Sequence, residues 1–420
     1  NYFGTDVTGS VRKEIGNDAI LIFDGSNNRI GISQAGNLIS GSAGSGVAIH
    51  GSLSFDNRVQ GNLIGLNATG SNAIGNSGNG IEVRNGAPSS NVIGSDIAAL
   101  RNVISGNGGS GIHLGDVASQ TEIYGNYIGT TGDGQSDLGN GGNGVLINGV
   151  ANNNFIGNPS LTNAGNIIAF NGSAGIFLNG ANVNSNQIQQ NSIYSNSLGA
   201  IILAGNSNND RVPPTITSVT EHLGTLSIEG THADPLTHGD TLRVEFYLNA
   251  SSGIEGRTFL GAGNFTGDVA GTTFNYDLSV SPSTSGFLTA TVTDSAGNTS
   301  EFSSSNSIVF VNRAPTIWNG TSPVGSIPEG SATVGTRITD LATALSASDL
   351  DGDTVGVALR PLTGSGVYQY SLNTTDGIDG AWTDISNLPT DEYLLLDTNA
   401  WLRYKAGLSN AETTSIAASA

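Results

Sequence analysis

Asn126-Tyr127-Ile128-Gly129, followed after a polar loop by Leu138-Gly139-Asn140-Gly141-Gly142-Asn143-Gly144-Val145-Leu146-Ile147, is written three times in this chain. Asn1-Tyr2-Phe3-Gly4 leads in the same way to Ile15-Gly16-Asn17 and Ala19-Ile20-Leu21-Ile22, and Asn62-Leu63-Ile64-Gly65 leads to Ile74-Gly75-Asn76 and Gly80-Ile81-Glu82-Val83. The starts lie 61 and then 64 residues apart. A period of this length marks an array of stacked units.

A related phrase fills the space between the copies. Asn28-Arg29-Ile30-Gly31, Asn91-Val92-Ile93-Gly94 and Asn154-Phe155-Ile156-Gly157 lead to Asn37, Asn102 and Asn166, and each of those leads nine residues later to the Gly of Gly46-Val47-Ala48-Ile49, Gly111-Ile112-His113-Leu114 or Gly175-Ile176-Phe177-Leu178. Aligning the strand position gives Ile20, Val47, Ile81, Ile112, Val145, Ile176 and Ile201, with gaps of 27, 34, 31, 33, 31 and 25 residues. Apolar residues alternate over three or four positions, too few for a helix, and Gly or Asn stands at each corner, where a left-handed backbone is tolerated. The pattern predicts seven rungs of a parallel β-helix, rising about 4.8 Å per rung. Identical asparagines at one corner are expected to stack as a side-chain ladder, with a structural role.

Composition narrows the classes of function. The 34 acidic residues outweigh 14 Lys and Arg, giving a net charge of -20 with two lysines, Lys13 and Lys405. Nucleic acid and anionic membrane surfaces both need cationic contacts, so neither is an expected partner. No apolar run reaches the roughly 18 to 20 residues that span a bilayer, so no membrane insertion is expected. Without Cys the chain has neither disulfides nor thiolate metal sites. Gly, at 61 of 420 residues, is about twice its usual share of roughly 7% but lacks a Gly-X-Y period, so it punctuates short strands.

At Arg211-Val212-Pro213-Pro214 the Asn and Gly grammar stops. Thr241 to Leu248, Phe274 to Val280 and Leu288 to Thr293 alternate cleanly, predicting about seven short strands in an antiparallel β-sandwich over 213–311. A second Pro-marked start at Asn312-Arg313-Ala314-Pro315 opens a third domain, 312–420. There Asp349, Asp351 and Asp353 place three carboxylates at alternate positions around Gly352, hard oxygen ligands of the kind calcium prefers. The chain is expected to begin within a rung and to end within an unfinished strand, as an internal piece of something longer.

Residues 1 to 209 resemble the right-handed parallel β-helix repeat proteins of bacteria, the large secreted or surface kind, and Gly139 to Ile147 carries the likeness most closely. Ala290 to Phe302 resembles an immunoglobulin-like module. Pro328-Glu329-Gly330 together with Ala347 to Thr354 resembles a bacterial cadherin-like domain, and this resemblance adds Glu329 to the calcium set. The fold class is therefore all-β: a right-handed parallel β-helix followed by two antiparallel sandwiches. The resemblance implies an extracellular or cell-surface location and an adhesin-like or structural scaffold, with glycans or a cell-surface molecule as partner and calcium stiffening the last module.

Because the β-helix fold also hosts polysaccharide lyases and hydrolases, the repeat needs to be read for chemistry. A hydrolase needs two carboxyl groups roughly 5 to 9.5 Å apart, which on adjacent rungs means acids at matching positions. Glu82 matches Leu21, His113 and Leu146, so no such pair forms. The residues that could face a ligand are Glu82 and His113, one rung apart, with Arg84 and Arg58, and the first two are expected at an exposed strand position. His50 stands at a different phase from His113, so a metal pair is not expected. The alternatives to a scaffold are an enzyme acting on uronic-acid glycans and a filament subunit that self-associates through an open β-helix end. The loops between Gly4 and Gly16, Gly65 and Gly75, and Gly129 and Gly139 are the stretches free to recognise a partner.

Overall fold

A computed structural model describes residues 1–33, 36–84, 90–222, 225–233, 241–266, 272–279 and 286–308, with shorter segments between 321 and 417. The chain forms two compact units, residues 1–280 with 285–309, and residues 281–284 with 310–420.

Three parallel sheets wind through the first half of the chain. The first holds Tyr2–Phe3, Leu38–Ile39, Leu63–Ile64, Val103–Ile104, Tyr127–Ile128, Ile167–Ala169 and Ser192–Tyr194. The second holds Ile20–Phe23, Val47–His50, Ile81–Arg84, Ile112–Leu114, Val145–Asn148, Ala174–Asn179 and Gly199–Ala204. The third holds Arg29–Ile30, Arg58–Val59, Val92–Gly94, Glu122–Tyr124, Phe155–Ile156 and Gln187–Ile188. Each strand pairs with its equivalent one turn away. In the second sheet, Ile20, Val47, Ile81, Ile112, Val145, Ile176 and Ile201 fall in one register column, the seven rungs expected from the repeat. This is a parallel β-helix. Its interior is a column of fully buried Ile, Val and Leu, among them Ile49, Ile64, Ile93, Ile104 and Leu114.

Stacking rungs in register puts like side chains on top of one another, and the asparagines exploit this. At the corner before the first sheet, Asn1, Asn37, Asn62, Asn102, Asn126, Asn166 and Asn191 each pass an Nδ2–H to the Oδ1 of the next, at 2.8 to 3.1 Å. After the same sheet a second ladder runs from the Ser42 hydroxyl through Asn76, Asn107, Asn140 and Asn171 to Asn196. A third, before the third sheet, includes Asn28, Asn57, Asn91, Asn154, Asn186 and Asn208. Many of these amides also bond main-chain carbonyls inside the coil, which satisfies backbone groups that the tight corners would otherwise bury unpaired. Gly129 shows why the phrase ends in Gly: its φ is +92°, and a Cβ there would lie 2.0 Å from the Ala169 carbonyl oxygen.

The loops between Gly4 and Gly16, Gly65 and Gly75, and Gly129 and Gly139 are regular. Each closes through an antiparallel bridge, Thr5 with Arg12, Leu66 with Ala73 and Thr130 with Asp137. They also rest on one another, Ala68 N–H on the Gly9 carbonyl and Gly132 N–H on the Gly70 carbonyl.

Residues 213–308 form seven strands among the described residues, in a three-stranded and a four-stranded antiparallel sheet. Phe246 of one sheet meets Phe274 and Tyr276 of the other. This module closes the last rung of the coil. The final turn exposes a row of amide N–H groups with no further rung to accept them, and the module supplies the acceptors from side chains. Glu245 Oε2 accepts from Gln190 N–H at 2.8 Å, Glu255 Oε1 from Ser195 at 2.8 Å, Glu301 Oε1 from Leu203 at 2.9 Å, Thr299 from Ile188 at 2.9 Å and Asn298 from Ser185 at 2.7 Å. Ile193 and Gly256 exchange both backbone bonds, and Tyr247 and Phe302 extend the apolar column of the coil. Arg211 pairs with Asp294 across the same junction. The change of grammar near Pro213 thus changes the strand pattern but continues one packing unit.

In the second unit the described strands are all antiparallel, with Trp401–Lys405 between Thr336–Arg337 and Val367–Ser371. Ile338, Leu341, Leu396, Ala400 and Leu402 form a small core. Glu329, Asp349, Asp351 and Asp353 lie outside the described residues.

Candidate functional site

Alternation on the second sheet sends Ile81 and Val83 into the coil and Glu82 and Arg84 outward. Pairing carries the outward column from Leu21 through Ala48, Glu82 and His113 to Leu146. The next outward column, two residues further along each strand, contains Phe23, His50 and Arg84.

Glu82 is the hub. Its Oε1 lies 3.3 Å from His113 Nδ1 and 3.3 Å from Arg84 Nη1. Its Oε2 accepts from the Ser45 hydroxyl at 3.1 Å and lies 3.8 Å from His50 Nε2, too far for a hydrogen bond. Arg84 reaches on to Asp116 at 3.6 Å, and His113 Nε2 sits 3.0 Å from the Asn148 amide oxygen. The cluster covers itself, leaving the side chains of Glu82 and His113 13% and 11% exposed. The expectation of an exposed strand position is corrected here: long polar neighbours on a flat sheet face fold over one another.

His113 first, and then His50, hold the Glu82 carboxyl well below the usual carboxylate range, against the weaker upward push of burial. A depressed folded value means that the ionised carboxylate contributes stability above the unfolded value near 4.3, and that this contribution is lost as pH falls toward the folded value. Glu82→Gln is therefore expected to flatten the loss of stability of the full chain below about pH 5, relative to wild type. Thermal melting from pH 7 to pH 3 checks this, and parallel profiles for the two proteins would contradict it.

Of the sequence-derived candidates, the structure brings Glu82, Arg84 and His113 together and leaves Arg58 elsewhere. Arg58 is exposed on the third sheet, between Arg29 and Val92 in register. His50 does occupy a different column from His113, yet it stands on the same face and reaches the same carboxylate. Its position two residues after Ala48, the register partner of Glu82, is the signal that places it there. Asp116 and Asn148 carry no such signal, because they enter through the turn after one strand and the end of another. Among the described residues no three His, Cys, Asp or Glu side chains are grouped to hold a metal ion. No helix among them is long and apolar enough to cross a membrane. The chain matches no protein-family model and none of the curated proteins.

Proposed function

We propose that the chain is part of a large secreted or cell-surface bacterial protein in which the rung stack, read as right-handed, is a stiff adhesin-like scaffold. The modules that follow in the sequence are read as immunoglobulin-like and cadherin-like, and glycans or another cell-surface molecule are its partner. The observation that carries this reading is the closed end of the coil. Ladders that run rung to rung and an end sealed by the next module make a body suited to holding a flank at a fixed geometry. The Glu82, Arg84 and His113 patch lies on that flank. Calcium at Glu329, Asp349, Asp351 and Asp353 belongs to this reading on sequence grounds.

The test is retention under flow of beads bearing the full chain over arrayed glycans and cell-surface material. Retention on at least one class, without loss of the glycan, is the expected result. Absence of retention on every surface would contradict it.

The ionised Glu82 between two imidazoles favours one further reading, a polysaccharide-active enzyme with accessory modules. Its carboxylate already faces four partners, however, and an inverting or retaining hydrolase needs a second free carboxyl group. Release of unsaturated or reducing-end products from uronate polymers would replace the scaffold reading by this one.

A further inference from the structure

A trough of about 300 Å³ lies on the outer face of the first sheet, beside the docked antiparallel module. Arg101, Tyr127, Asn163, Ile167, Gln190 and Phe259 line it. Its origin is in the register. Val103 pairs with Tyr127, Tyr127 with Ile167 and Ile167 with Ser192, so the positions two residues earlier, Arg101, Gly125, Gly165 and Gln190, form one column. The two glycines leave that column without side chains between Arg101 and Gln190. Gly165 cannot be replaced to fill it, since a Cβ there would lie 2.1 Å from the Gln190 carbonyl oxygen. Phe259 contributes an aromatic wall from the module and is itself fixed edge-on against Tyr247, 5.6 Å away.

Arg101 is held rather than spread into solvent. Its Nε–H donates to the Gly125 carbonyl at 2.8 Å, and its guanidinium stacks 4.1 Å above the Tyr127 ring. It makes no ion pair with the described residues, although the chain carries 34 acidic side chains against 14 Lys and Arg. An oriented, unpaired guanidinium presents a fork that matches a carboxylate or sulfate bidentately. Aromatic and aliphatic walls suit the C–H face of a sugar ring, and the side-chain amides of Asn163 and Gln190 can both donate to and accept from hydroxyls. The volume stands at the lower end of small-molecule sites, about 300 to 1,000 Å³, and such sites favour the junctions between domains.

We propose that this trough is a binding site for a short anionic saccharide, with Arg101 pairing its carboxylate or sulfate, Phe259 and Ile167 packing on the ring, and Asn163 and Gln190 bonding its hydroxyls. The negative charge of the chain does not prevent this: Glu245, whose carboxylate accepts from Gln190 N–H, is buried and paired with Arg243, and exposed charges more than about 8 Å away are screened at physiological ionic strength. The site shares no residue with the Glu82 patch and does not depend on the scaffold reading.

Titration calorimetry of the full chain with a galacturonic acid trimer, a sulfated disaccharide and a neutral galactose trimer tests the proposal. One or both anionic sugars should bind and the neutral one should not. Arg101→Ala should weaken that binding at least tenfold, and Arg101→Lys should weaken it severalfold because the fork is lost. Arg29→Ala, a change at an exposed residue on the third sheet, should leave it intact. Should Arg101→Ala lower the melting temperature, Asn163→Gly provides the second test: it removes the exposed amide, keeps the left-handed backbone at that position (φ +60°), and is expected to give severalfold weaker binding at unchanged melting. The proposal is overturned if neither anionic sugar binds at millimolar concentration, if the neutral trimer binds equally well, or if the Arg101 and Asn163 variants bind like wild type.

Discussion

Glu245→Ala is expected to destabilise the unit that contains the coil by about 3 to 5 kcal/mol, the range for removing one partner from a buried charged pair. Glu245 is fully buried, and three groups donate to it: Gln190 N–H, the Tyr247 hydroxyl at 2.7 Å and the Arg243 guanidinium at 3.0 Å. Alanine leaves all three without an acceptor and removes one clamp between module and coil. Burial raises the Glu245 carboxyl above its ordinary value, against the pull of those donors. A neutral side chain of the same shape is therefore tolerated better than truncation, and Glu245→Gln should lose less than Glu245→Ala. Denaturant unfolding of the full chain, followed by the transition of the β-helix unit, measures both. If Glu245→Ala shifts that transition no more than an exposed control, the cap does not act as described.

The second large effect is expected in the middle of an asparagine ladder. Asn126 is fully buried. Its Nδ2 donates to Asn166 Oδ1, to the Ile93 carbonyl at 2.8 Å and to the Tyr124 carbonyl at 3.1 Å, while its Oδ1 accepts from Asn102. Asn126→Ala orphans main-chain carbonyls that water cannot reach, at about 1 to 3 kcal/mol for each buried group left unsatisfied. A total of about 3 to 5 kcal/mol is expected on that basis. Asn126→Asp should be at least as damaging, because it sets a carboxylate against the carbonyl oxygens that the amide now serves. Asn152→Ala, at a half-buried position outside the ladders, should stay within about 0.5 kcal/mol of wild type. Equal effects for Asn126 and Asn152 would show that the ladders contribute nothing to stability.

Much of the coil was legible because a β-helix repeats its physics at every rung. One alignment of Gly144-Val145-Leu146-Ile147 with its equivalents fixes the inward column, and the asparagine at each corner follows from the same spacing. Glu82 falls beside His113 by the same spacing, since neighbours in register are neighbours in space. The rest of the cluster does not follow from register. His50 stands in a different column from His113, but a side chain two residues along a strand points to the same face and can span to the next rung. Asp116 and Asn148 reach the site from a turn and a strand end, whose paths the repeat does not specify.

The cap was hidden for a different reason. Glu245, Glu255 and Glu301 sit on or between the strands of a module with another grammar, and no local feature of Thr241 to Leu248 announces that one of its acids faces the amide of Gln190. Glu245 reads as the outward member of an alternating strand. It is buried because the coil covers it. Long-range pairing of this kind depends on how two elements dock, which periodicity does not encode.

Amide hydrogen exchange on the full chain tests the closed end of the coil directly. The amides of Ile188, Gln190, Ser195 and Leu203, whose acceptors are side chains of the following module, should be protected to the same degree as Ile168 and Ile176 within the stack. Exchange of those four amides as fast as in exposed loops, with Ile168 and Ile176 still protected, would contradict a β-helix sealed by its neighbouring module.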